Sequence, residues 1–148
     1  MWVLVANSSI GRIFNAPTPL GELEEIESFS HAASRAPDRD LSADRPGRTF
    51  DSVGAGRHAK EATISPKDEE AVRFAEQLAA RLDEARAKGD VDALLLVAAP
   101  RFLGLLRQQL DPVTRDIVSL EIDQDLTRFA AEEIRERLPE RLYSNLSG

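Results

Sequence analysis

The fold turns on residues 20–29, Leu20-Gly21-Glu22-Leu23-Glu24-Glu25-Ile26-Glu27-Ser28-Phe29. Leu23, Ile26 and Phe29 recur every third residue, as on one face of a helix. Glu22, Glu24, Glu25 and Glu27 suit either a helix or the charged side of an edge strand. The preceding chain favours a bent strand. Pro19-Leu20-Gly21 is a good turn, and two strands come immediately before it. Trp2–Ala6 is a continuous apolar run of β-formers, the pattern of a strand buried on both faces. Asn7-Ser8-Ser9 is a turn cluster, and Ile10–Phe14 supplies the second strand before Pro17 and Pro19 break the chain.

Downstream, helices and strands alternate. Ser65-Pro66-Lys67-Asp68 reads as a helix start, with Ser as cap, Pro in the first turn and an acid three residues after the cap. Ala71, Phe74, Ala75, Leu78, Leu82 and Ala85 mark one face of that helix, which Lys88-Gly89 ends. Asp92–Ala99 holds another buried strand. Pro100 opens a helix aligned on Leu103, Leu106 and Leu110 and closed by Asp111-Pro112. Ile117–Ile122 alternates as a strand. Asp123 or Asp125 caps a last helix carrying Leu126, Ala130, Ile134 and Leu138, stopped at Pro139. The order β-β-β-α-β-α-β-α predicts a single α/β domain over residues 1–148. It has a mixed five-stranded sheet with flanking helices and a long loop before the first main helix, the element order of the ribonuclease H-like fold.

That loop, residues 31–64, has no sustained period, and structureless loops this long are usually functional or disordered. Residues 31–60 hold six basic side chains (Arg35, Arg39, Arg45, Arg48, Arg57, Lys60) and four acidic ones, a local +2. The other 118 residues hold 13 basic and 22 acidic side chains, or −9. The segment is a basic-leaning arm on an acidic body. Its large apolar residues are few (Leu41, Phe50 and Val53), which predicts mobility over much of 33–49 with Phe50 as an anchor.

Composition excludes several classes of function. With 148 residues, 42% apolar and 30% charged, the chain is an ordinary globular domain. It has no cysteine, so thiolate chemistry and Cys-ligated metals are excluded, and its only histidines, His31 and His58, rule out a multi-histidine metal site. No apolar run approaches the length of a membrane span. A net charge of −7 disfavours broad, non-specific nucleic-acid binding. Met1–Val5 runs into an apolar strand with no basic leader, which predicts no signal peptide and a cytoplasmic address. No cofactor is implied.

Catalytic readings fare poorly. Two-metal phosphoryl chemistry needs converging carboxylates. The first strand has none, and the strand ending Val97-Ala98-Ala99-Pro100 carries Asp92 only at its opposite end. No phosphate loop follows the first strand, and Ser8 and Ser9 lie in no nucleophile elbow. Gly54-Ala55-Gly56 reads either as a flexible tip that lets backbone approach a ligand or as a solvated turn. Arg57 and His58 beside it either clamp phosphate, with imidazole as a tunable donor or acid/base, or dock the loop near Glu61. Arg48 and the other loop arginines alternate with aspartates, which suits intra-loop ion pairing. His31 reads as a solvated or capping histidine, Arg101 and Arg107 as surface positions, and Trp2 and Phe102 as core.

Four stretches together carry a resemblance: Trp2-Val3-Leu4-Val5-Ala6-Asn7, Phe50-Asp51-Ser52-Val53-Gly54-Ala55-Gly56-Arg57-His58-Ala59, Leu95–Arg107 with its Ala98-Ala99-Pro100-Arg101-Phe102-Leu103-Gly104 core, and Glu121–Thr127. Over nearly its whole length the chain resembles the bacterial host attachment protein family. The resemblance implies kinship with the middle domain of archaeal and eukaryotic peptide release factors, which is ribonuclease H-like. There a Gly-Gly-Gln tip in the loop before the long helix promotes peptidyl-tRNA hydrolysis. The corresponding tip here is Gly54–His58, and it lacks the glutamine; the first Gln in the chain is Gln77.

These readings combine into one expectation and its rivals. The chain is expected to be a non-catalytic binding module that contacts the ribosome, tRNA or rRNA through Gly54, Gly56, Arg57, His58 and Arg48, with no metal and no membrane. The alternative is a protein-interaction or regulatory factor with a protein partner, acting indirectly in attachment to host cells. A peptidyl-tRNA hydrolase-like enzyme, with His58 as its one candidate catalytic residue, ranks below both.

Overall fold

The structure is a computed structural model that describes residues 1–31 and 66–144. Five strands form one mixed sheet: β1 (Trp2–Ala6), β2 (Ile10–Asn15), β3 (Glu24–Ser30), β4 (Leu94–Ala98) and β5 (Val118–Ile122), in the order β3-β2-β1-β4-β5. β1–β2 and β2–β3 are antiparallel, while β1–β4 and β4–β5 are parallel. Helices α1 (Pro66–Ala87) and α2 (Pro100–Gln109) precede and follow β4. A one-turn α3 (Pro112–Asp116) leads into β5, and α4 (Ala131–Glu136) lies near the end.

β1 and β4 are buried at all five positions each, as their unbroken apolar sequences require. One face of the sheet, with Trp2, Leu4, Ile13, Leu94 and Leu96, packs under Phe74, Leu78 and Leu82 of α1 and Phe102 and Leu106 of α2. The other, with Val3, Val5, Phe14, Leu95 and Val97, packs on Leu126, Ile134, Leu138 and Leu142. The buried face of α1 contains every residue the heptad-like spacing predicts, plus Ala79. Its C-terminus is a Schellman turn: Asp90 N–H donates to the Ala85 carbonyl and Gly89 N–H to the Arg86 carbonyl, with Gly89 at φ +81°.

Residues 24–30 are the edge strand, and its departure from regularity explains the misleading three-residue spacing. The β2–β3 register shifts between Ile13, opposite Glu27, and Phe14, opposite Glu25. Leu23 therefore joins the core cluster beneath α4, Phe29 packs with the α1 cluster, and Ile26 is 45% exposed. The shift also divides the glutamates. Glu25 pairs with Arg12 of β2 and Glu27 with Arg81 of α1, each at 2.9 Å.

Two expectations need correction. The turn at Asp111-Pro112 does not pass directly to a strand. Asp111 accepts a hydrogen bond from Val113 N–H (2.9 Å) and caps α3, so the strand begins at Val118. The last helix does not start at Asp123 or Asp125. Asp125 Oδ1 accepts from Thr127 N–H (3.0 Å), a turn of its own, and the helix begins only at Ala131, where Glu133 reaches back to Ala130 N–H. The Ser65 cap and residues 32–64 of the arm, Phe50 included, lie outside the described residues.

Candidate functional site

Parallel pairing of β1 with β4 brings their carboxyl ends to one edge of the sheet. There the chain after β1 turns back into β2 and the chain after β4 rises into α2 and on to β5. Ligands of α/β sheets bind at such a reversal, outside the carboxyl ends of the strands. The structure has a cleft of about 690 Å³ at this place. Its sheet-edge wall is Asn7, Ser8, Ser9 and Asp125. Its helical wall is Lys67, Asp68, Ala71 and Val72 of α1 and Ala99, Arg101, Phe102 and Leu105 at the start of α2.

Asn7 organises the sheet-edge wall. Its carboxamide oxygen accepts from Ser9 N–H (2.8 Å) and Ile10 N–H (2.9 Å), closing the turn after β1. Its Nδ2 donates to Asp125 Oδ2 (2.9 Å) and Thr127 Oγ1 (3.2 Å), fastening that turn to the segment after β5. Arg12 adds a second fastening through the carbonyls of Thr127 (2.9 Å) and Phe129 (2.7 Å). Partial burial pushes the Asp125 carboxyl up, but hydrogen bonds from Asn7 and from the hydroxyl and N–H of Thr127, with the charge of Arg128, outweigh it. The net pKa is below the usual carboxylate range. A carboxylate so held stays ionised at neutral pH and serves as an acceptor, not a proton carrier.

The helical wall follows from helix starts. Ala99 caps α2 without a side-chain hydrogen bond, Pro100 follows, and the first turn has no acid; Arg101 projects there, 86% exposed, with Asp68 of α1 at 3.6 Å. His31 is bonded to the sheet-edge wall. Its N–H donates to the Ser9 carbonyl (2.9 Å), its Nε2 bonds Glu70 Oε1 (2.8 Å), and its ring stacks on Phe74, which in turn meets Phe102. It is a docked histidine, not a solvated one.

Arg48, Gly54, Gly56, Arg57 and His58 lie outside the described residues. Trp2 and Phe102 are core and Arg107 is a surface residue paired with Glu121, as expected. The residues that line the cleft each had a local reading in sequence that did not join them: Asn7–Ser9 as a turn and Arg101 as surface, both of which hold, and Asp125 as a helix cap, which does not. Their shared signal was position, just past the ends of two fully buried strands. Among the described residues, no group of three or more His, Asp or Glu is placed to hold a metal ion, and no helix is long and apolar enough to cross a membrane.

A family model described as protein required for attachment to host cells matches residues 2–138. The chain belongs to this family. The match begins at β1 and runs past α4, so both walls of the cleft fall within the host attachment domain, as does the whole arm between β3 and α1. No curated protein matches the chain.

Proposed function

We propose that this host attachment protein is a non-catalytic cytoplasmic binding module with a ribonuclease H-like fold, akin to a release-factor middle domain. It contacts ribosomal or other structured RNA through its basic-leaning arm. A three-stranded antiparallel meander continued by two parallel strands supports the fold reading. One observation carries the functional reading: the described residues on either side of the arm, His31 and Pro66, adjoin residues of the cleft wall. His31 is bonded to Ser9 and Glu70, and the returning chain enters α1 at Pro66, beside Lys67 and Asp68 of the cleft wall. On this reading Arg48, Arg57 and His58 contact phosphates and Gly54 and Gly56 let backbone approach them. Peptidyl-tRNA hydrolysis is outside the proposal, because the tip has Arg57-His58 and no glutamine.

The test is co-sedimentation with ribosomes, and binding to tRNA and rRNA fragments, across a salt series. Retention at low salt that falls as salt rises is expected, because phosphate contacts release counterions. The double change Arg57→Ala and His58→Ala is expected to weaken it at least tenfold. No retention at low salt, or retention indifferent to that double change, overturns the proposal. So does affinity purification dominated by one stoichiometric non-ribosomal protein.

A further inference from the structure

We draw no further inference here: the strongest candidate, the outer edge of β5 with exposed Leu120 and, in α3 just before it, exposed Val113, has no partner strand among the described residues, and nothing in the structure shows what covers it.

Discussion

Asn7 is the most informative single perturbation, because one carboxamide both closes the turn after β1 and ties it to Asp125 and Thr127. Asn7→Ala removes two acceptor bonds to backbone N–H groups, at 2.8 and 2.9 Å, and two donor bonds, one of them to a carboxylate at 2.9 Å. A neutral bond is worth about 0.5–1.5 kcal/mol net and a bond to a charge about 1.5–3. Because the turn is only half-buried and water can replace part of the loss, the expected cost is about 2–4 kcal/mol, or roughly 6–12 °C in Tm for a domain of this size. Asn7→Asp separates the two halves of the role. It keeps the acceptor oxygens but sets a second carboxylate against Asp125. Two charges 4 Å apart repel by about 1 kcal/mol in water and about 4 at an effective dielectric constant of 20; Asp125 is exposed, so the lower end applies. The repulsion raises the titration of Asp125 relative to the parent chain, so the deficit is greatest at neutral pH and shrinks as pH falls through that titration. Urea unfolding followed by circular dichroism at pH 7 and pH 4, each against the parent chain, measures both effects. An Asn7→Asp protein as stable as the parent at pH 7, or with the same deficit at pH 4, would refute the account of how the cleft wall is held.

Leu78 is fully buried between α1 and the sheet, against Gly11 of β2, so Leu78→Ala should cost about 2–5 kcal/mol in the same unfolding assay, whereas Ile26→Ser on the exposed edge should change stability by less than about 0.5. Two glycines should respond with opposite sign. Gly89→Ala forces a side chain into the left-handed region at φ +81° and should destabilise by about 1–2 kcal/mol, while Gly104→Ala, inside α2 with open space around its Cβ position, should stabilise by about 0.5–1. The hydrogen bond from Arg12 holds the Glu25 carboxyl below its ordinary range, so its contribution is present above the unfolded carboxylate pKa and is lost as pH falls through the lower folded value. Glu25→Gln should therefore flatten the acid limb of the stability–pH curve below about pH 4.5; an unchanged limb would show that the pair is fully screened.

What could be read from the sequence divides along a physical line. Trp2–Ala6 and Leu94–Ala98 were legible because unbroken apolar runs have one stable home, a strand covered on both faces. The α1 face was legible because its spacing repeats over many turns. Short-range polar signals misled. Asp125 looks like a helix cap, and its carboxylate does accept the N–H two residues on, but that turn closes without a helix behind it. Leu23, Ile26 and Phe29 look like one helical face because a register shift, invisible in composition, sends each to a different environment. The cleft was the least legible feature, since Asn7, Lys67, Arg101 and Asp125 are far apart in the chain and each has an ordinary local reading. Yet its position was implicit in the most legible elements. Two all-buried strands belong in the sheet interior, and because these two are neighbours and run parallel, the residues following both share an edge. The place where a ligand can sit follows from burial and strand direction, whereas the chemistry of that place depends on which side chains happen to stand just past the strand ends.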